Sequence, residues 1–534
     1  MSDKRLRLFI YYPIILSLVL AGGIYLGSRL NVSYLYDLPG ADATDNSRKI
    51  TNLLNYVMDE YVDTVDLDGL TESTIISMLD QLDPHSAYIP ARELQAMNEP
   101  LNGNFDGIGV EFNIINDTIV VVAPISGGPS EKLGIRSGDR IVMIEDSVVA
   151  GVGIQNQDVI SKLRGERGSK VHISIFRRGL KGLQQYTIVR DKIPIYSVDA
   201  AYLMEGGVGY IKVSRFAATT YDEFKEKLDA FRRQGMQKLI IDLRGNPGGY
   251  LTAAIEMCDE VLNEGQLIVY TEGRSRPKES SFATSRGSFE KGAISILIDE
   301  GSASASEIVA GAIQDNDRGV IVGRRSFGKG LVQEQVELPD GSAVRLTIAR
   351  YYTPTGRSIQ RPYENTEQYY HDLYERYEHG ELYEADSVSL NKNEKFVTPK
   401  GKVVYGGGGI MPDVFVPLDT TNYSAYHNRL VGVGAVREFA LELSTRHAAE
   451  LKKFKTVDEF RKQFRVSAAE FAELVELGRK QGVKATDEQV KRAENAIRQN
   501  LRALIARSLW NGEGYYPIIN EDDTAIRAAL DAMK

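Results

Sequence analysis

Three stretches between residues 240 and 335 hold the side chains able to do chemistry. Asp242-Leu243-Arg244-Gly245-Asn246-Pro247-Gly248-Gly249 follows an apolar run and precedes a helical pattern. A strand entering a helix through a glycine-rich turn aims free backbone N–H groups at one point, which suits an oxyanion or a phosphate. Gly301-Ser302-Ala303-Ser304-Ala305-Ser306-Glu307 sets serines at the start of a second helical pattern, 308–314. A serine there sits in the positive end of the helix dipole, which favours negative charge developing nearby. Taken alone, the stretch reads first as N-capping, with Ser302 or Ser304 paired to Glu307. The third stretch is Gly323-Arg324-Arg325-Ser326-Phe327-Gly328-Lys329-Gly330-Leu331-Val332-Gln333.

That third stretch contains two decoys. Gly323 to Lys329 fits GxxxxGK, but a P-loop next needs Ser or Thr for magnesium and then a helix. Gly330 follows instead, and residues 331–338 alternate like a strand. Ser326 and Lys329 also spell SxxK, a pattern that requires both on one helix face, and glycines at 323, 328 and 330 argue against a helix. A serine and a lysine remain. A hydroxyl needs a neighbouring base, and none of the three stretches holds a histidine. A lysine serves as base only when desolvation lowers its pKa from about 10.4 towards neutrality. Phe327, Leu331 and Val332 supply apolar side chains for such a wall, and Gln333 is placed to hold the amine in one rotamer. A solvated surface lysine is the alternative reading.

The elements that must position these groups follow from periodicity. Residues 191–415 alternate strand and helix patterns: strands at 208–213, 238–243 and 294–298, helices at 221–234 and 251–262. That alternation predicts an α/β layer architecture. Residues 45–100 read helical, with Ile50, Leu53, Leu54, Val57 and Met58 and then Ile75, Ile76, Met78 and Leu79. They end at Leu82-Asp83-Pro84-His85-Ser86. Residues 420–534 read helical through Phe471, Leu474 and Val475, then Ile497, Leu501, Leu504 and Ile505. The acidic stretch 362–386 holds six tyrosines, of which Tyr370, Tyr374 and Tyr377 form one face of an inserted helix, read here as a surface excursion.

Between 101 and 190, short β-rich runs at 118–123, 140–145 and 171–177 surround one helical stretch, 156–163. Asn104-Phe105-Asp106-Gly107-Ile108-Gly109-Val110-Glu111-Phe112 puts glycines just before a strand. Consecutive N–H groups there form an anion nest, and the strand edge beside it accepts an extended peptide whose terminal carboxylate is that anion. Pro129 to Ile135, Gly138 to Ile141, Leu163-Arg164-Gly165 and Gly168 to Val171 continue in the order of a PDZ domain.

Composition bounds the rest. The 534 residues are 43% hydrophobic and 26% charged, which excludes collagen, wholesale disorder and a coiled-coil rod. A net charge of −9 has the wrong sign for a protein that lives on phosphate backbones. One cysteine, Cys258, forbids an intramolecular disulfide and a multi-thiolate zinc site. Six histidines without HExxH point away from a metalloenzyme. Residues 8–27 are 20 uncharged, mostly apolar positions behind Lys4, Arg5 and Arg7. A helix of that length is about 30 Å long, enough to cross a bilayer, with the basic flank cytoplasmic. An uncleaved single-pass anchor is favoured over a cleaved signal peptide.

Taken together, residues 45–415 resemble the carboxyl-terminal processing peptidases, or tail-specific serine proteases. The similarity runs through the motifs above and continues through Tyr352-Thr353-Pro354-Thr355-Gly356-Arg357-Ser358-Ile359-Gln360 and Gly409-Ile410-Met411-Pro412-Asp413-Val414. The resemblance implies a fold of α/β plus β type: a ClpP/crotonase-like α/β protease core with an inserted PDZ domain, an N-terminal transmembrane helix and a helical C-terminal extension. The expected segments are 1–30 (anchor or signal peptide), 31–100 (helical), 101–190 (PDZ), 191–418 (protease core) and 419–534 (helical extension). It implies a serine endopeptidase with Ser304 as nucleophile, Lys329 as general base and Gln333 as its orienter. Ala305 with Gly248 or Gly249 would form the oxyanion hole. Gly107, Ile108, Gly109 and Val110 would hold the peptide tail, with Arg164 a further contact. No cofactor or metal is implied. The expected partners are proteins or peptides with free C-termini, the membrane through the N-terminal helix, and a second copy through the C-terminal helices; nucleic acid is not among them. The expected location is the bacterial cell envelope, anchored in the inner membrane with the catalytic part in the periplasm. The rival reading is a membrane-tethered PDZ adaptor on an inactive protease-like core.

Overall fold

The computed structural model describes residues 43–387, 394–419 and 424–534. The chain divides into two compact units, 1–74 and 75–534. In the first, the expected helical pattern forms helix Ala43–Glu60 and opens helix Leu67–Asp80. The apolar run 8–27 lies outside the described residues. Among those described, no helix is long and apolar enough to cross a membrane.

The second unit is built on a six-stranded sheet in the order Val198–Met204, Val208–Val213, Lys238–Asp242, Ala293–Ile298, Val320–Gly323, Val414–Phe415. Its first pair is antiparallel and the others are parallel. Both faces are covered, so the central strands are near-continuous apolar runs rather than alternating ones. Ile211, Ile241 and Ile296 point into a core shared with helices Thr220–Arg233, Leu251–Asp259 and Ala305–Asp315. The intervening Tyr210, Ile240 and Leu297 meet Ile526 and Ala529 of the terminal helix Thr524–Ala532 on the other face. A second sheet joins Leu331–Glu337 to Ala343–Tyr352, which also pairs with Ala87–Ile89 and Leu267–Gly273.

A separate sheet runs Val110–Ile114, Ile119–Pro124, Arg140–Ile144, Lys170–Phe176, Gln184–Val189, flanked by helix Asn156–Leu163. Val110–Ile114 is its edge strand, as peptide addition requires. The C-terminal helices bury Phe471, Leu474, Ile497, Leu501 and Ile505 in a cluster of their own. They grip the small β module through Arg437 Nη1 to Asn113 Oδ1 at 2.8 Å and Arg507 to both Glu111 carboxylate oxygens at 2.9 Å.

The tyrosine-rich insert is more than a surface excursion. It forms helix Thr366–Glu378, and Tyr370, Tyr374 and Tyr377 do share a face, the exposed one. The opposite face docks: Tyr369 and Arg376 are buried, and Asp372 pairs with the buried Arg361. Spacings of three and seven residues put these three on one side of a helix.

Candidate active site

Ser304 lies between strand Ala293–Ile298 and helix Ala305–Asp315, as the helix's N-cap, with φ 55° and ψ −114°. A non-glycine residue holds such a backbone only where its surroundings over-determine it. Ser302 Oγ donates to Leu243 O at 2.9 Å, and Ser306 Oγ donates to Asn246 O at 2.9 Å; both side chains are fully buried. Ser326 Oγ donates to Glu307 Oε1 at 2.5 Å and accepts from Ile410 N–H at 2.6 Å. Ser304, by contrast, lines a cavity of about 540 Å³ together with Ala305, Gly248, Gly249, Lys329 and Gln333.

Lys329 precedes strand Leu331–Glu337, and its loop is not helical, so neither decoy pattern has the structure it requires. Lys329 Nζ donates to Gln333 Oε1 at 3.0 Å. Gln333 Nε2 donates to the carbonyl of His85 at 2.5 Å, which turns the amide oxygen towards the amine. Burial is the main force holding the Lys329 pKa below its ordinary value. The Arg345 charge adds to it, while Asp83 and Glu307 oppose it. Among the described residues no hydrogen bond joins Ser304 Oγ to Lys329 Nζ; the two groups share the cavity wall.

Glu307 ties the two loops together. Its fully buried carboxylate accepts from Ser304 N–H at 2.8 Å, Lys329 N–H at 2.8 Å, Gly328 N–H at 2.7 Å and Ser326 Oγ. Burial pushes its pKa up to about 7 against the pull of those donors. Tyr351 OH donates to the carbonyls of Lys329 at 2.7 Å and Ser304 at 3.1 Å. The capping pattern in the sequence is therefore real, and it positions Ser304 as well as ending the helix.

The glycine turn lies against Ser304. A Cβ on Gly248 would be 2.7 Å from Ala303 O and 2.8 Å from Ser304 Cβ, and Gly248 holds φ 98°. The two expected oxyanion glycines differ. Gly248 N–H donates to Asn246 Oδ1 at 2.9 Å, whereas among the described residues no hydrogen bond occupies the N–H of Gly249 or Ala305.

In the small β module, no hydrogen bond among the described residues occupies the N–H groups of Ile108 and Gly109, beside edge strand Val110–Ile114. The Ile108 side chain belongs to the module's core, so the backbone and not that side chain is available to a ligand. Gly107 pairs with Asp191 between the module and its exit strand. The Arg164 guanidinium forms an ion pair with the buried Glu99 and lies 4.7 Å over the Phe105 ring, so it faces helix Ala91–Asn102. Sequence reasoning missed His85, whose carbonyl accepts from Gln333, and Asp83 and Tyr369, which hold His85. Only the Leu82-to-Ser86 motif marked the place.

These layers, this site and the inserted module define a peptidase that carries a PDZ domain. Residues 207–366 match Peptidase family S41, residues 107–183 match the PDZ domain, and residues 426–511 match a family of unknown function, DUF8443. The chain is 37% identical over 314 residues to the carboxy-terminal-processing protease of Bartonella bacilliformis, covering 58% of this chain and 71% of that protein. It is 33% identical over 350 residues to the carboxy-terminal processing protease CtpB of Bacillus subtilis, covering 64% and 72%. Among solved structures, the photosystem II D1 C-terminal processing protease is 27% identical, with a TM-score of 0.36, covering 69% of this chain and 86% of that one. The chain belongs to the carboxy-terminal processing proteases, serine peptidases of family S41.

Proposed function

We propose that this protease cleaves with a Ser304–Lys329 dyad, fed by its PDZ domain with substrates that end in a free carboxylate. The observation that carries the reading is selective openness. Of Ser302, Ser304, Ser306 and Ser326, only Ser304 has, among the described residues, a hydroxyl that donates to no buried acceptor, and it lines the cavity that Lys329 also lines.

The chemistry follows from the geometry. In its neutral form, which desolvation favours, Lys329 donates one N–H to Gln333 and turns its lone pair to Ser304 as the two close to hydrogen-bond distance. Ser304 Oγ attacks the scissile carbonyl and its proton passes to Lys329. The N–H groups of Ala305 and Gly249 stabilise the oxyanion; Gly248 joins them only by releasing Asn246. The protonated lysine then gives its proton to the leaving amine, and water resolves the ester. Each donor in such a hole is worth about 3 kcal/mol of barrier. The tail carboxylate rests on Ile108 and Gly109 N–H while the chain adds to strand Val110–Ile114.

The location belongs to the same reading. The apolar run 8–27 behind Lys4, Arg5 and Arg7 anchors the chain in the inner membrane of a bacterial cell envelope, with the catalytic part in the periplasm. Self-association through the C-terminal helices is part of it too, and sedimentation of the full chain tests that.

The deciding experiment compares serine variants on an unstructured peptide with an apolar free C-terminus. Ser304→Ala and Lys329→Ala lose cleavage with melting temperature unchanged, and amidating the peptide tail weakens turnover. Ser326→Ala loses stability because it leaves Ile410 N–H unpaired, yet its folded fraction still cleaves. Loss of cleavage in folded Ser326→Ala with activity kept by Ser304→Ala would sink the assignment. A binding-only adaptor would bind the tail and cleave nothing.

A further inference from the structure

The inserted helix reaches the catalytic lysine through a chain of contacts that starts at a buried tyrosine. Tyr369 OH lies 2.6 Å from His85 Nε2, and the two rings meet edge to face at 5.4 Å. His85 is pinned at its backbone as well, its N–H donating to Asp83 Oδ1 at 2.8 Å. The carbonyl of this doubly held histidine is the acceptor that orients Gln333, and Gln333 Oε1 in turn receives Lys329 Nζ.

We propose that Tyr369 and His85 are positioning residues for the base: they fix the His85 carbonyl, and so the rotamer of Gln333 and the direction of the Lys329 lone pair. The inference rests on the reading of Lys329 as base. Two further observations support it. Burial above all brings the His85 pKa down to about 4, and burial raises that of Tyr369, so at neutral pH the contact is a hydrogen bond between uncharged groups and brings no charge beside the amine. The Arg361 guanidinium stands 3.9 Å over the Tyr369 ring and 4.0 Å over the Phe327 ring, and pairs with Asp372 of the same helix. That stack fixes Tyr369 independently of its hydroxyl. The tyrosine is thus a rigid post whose oxygen meets His85 and also has Arg361 and Gln360 beside it.

Tyr369→Phe removes that oxygen and keeps the ring, the stack and the fold. On a peptide with a free apolar tail, the full chain bearing this change is expected to lose about 5- to 20-fold in kcat with KM within twofold, as for a misdirected base. His85→Ala is expected to match it. In a Gln333→Ala background, Tyr369→Phe is expected to cost less than twofold further, because the chain acts only through Gln333. Multiplying losses in the double variant would show a merely structural tyrosine and overturn the inference, as would a wild-type kcat in Tyr369→Phe. Activity retained by Lys329→Ala overturns the base assignment itself, so the two failures separate.

Discussion

Glu307 stands three residues beyond Ser304, yet its carboxylate accepts the backbone N–H of Lys329 at 2.8 Å. The same oxygen, Oε2, accepts the N–H of Ser304, so one buried atom spans Ser304 and Lys329. The other oxygen takes Gly328 N–H and Ser326 Oγ.

Glu307→Gln keeps most of this bridge. The amide oxygen can stay on Ser304 and Lys329 while the NH2 turns to the Ser326 hydroxyl, which then accepts. Gly328 N–H and the Ser326 O–H lose their shared acceptor, at a cost of about 1–3 kcal/mol each. Glu307→Ala orphans every donor and is expected to lose cleavage outright. The glutamine variant also carries a pH signature. The folded-state pKa of Glu307, pushed by burial up to about 7, exceeds the ordinary glutamate value of 4.5. The native state therefore holds this proton more tightly, and wild-type stability falls as pH rises from about 4.5 to about 7. Glutamine does not titrate. Urea unfolding is expected to show a wild-type advantage at pH 5 that narrows by pH 8, and a gap that stays constant would contradict this account.

Gly248→Ala tests the fit of the glycine turn against Ser304, proposed above as part of the oxyanion hole. At φ 98° an L-residue is strained, and the added methyl would collide with Ala303 O and Ser304 Cβ. Neither neighbour can yield, since the backbone at 304 is tied to Glu307 and Tyr351. The variant is expected to fold with a lowered melting temperature and to lose at least about 10²-fold in kcat, the scale of a displaced oxyanion donor. Near-normal turnover would remove this turn from the chemistry.

The parts of the fold that were legible in the sequence are those set by local pattern. The strand Val208–Val213 and the helix Asn156–Leu163 have the bounds that periodicity predicts, because a fully buried strand and an amphipathic helix each carry their own signal. Helix Leu251–Asp259 ends short of the predicted Leu262, since Val261 and Leu262 continue the apolar run in the buried turn after it. Among the serines, spacing could not separate Ser304 from Ser302 or Ser326; burial and hydrogen bonding do. Tyr369 was hidden for a helical reason. One step of about 100° turns it away from its neighbour Tyr370, and its partner His85 lies 284 residues off in sequence.

Arg345 offers the sharpest test of the lysine's charge state. It projects from strand Ala343–Tyr352 and lines the cavity with Lys329, its guanidinium bonded to Gln335 Oε1 at 3.0 Å. After burial, its charge is the largest force lowering the Lys329 pKa, against Asp83 and Glu307. A neighbouring cation disfavours the ammonium, so removing it makes Lys329 harder to deprotonate. In Arg345→Gln the rising limb of kcat/KM is expected to move to higher pH, making the variant slower at pH 8 and equal to wild type once both lysines are neutral. Burial is unchanged, so the limb stays below that of an exposed lysine. Arg345→Lys keeps the charge and is expected to keep the wild-type limb. If the limb stays put in Arg345→Gln, the group that titrates in turnover is not Lys329.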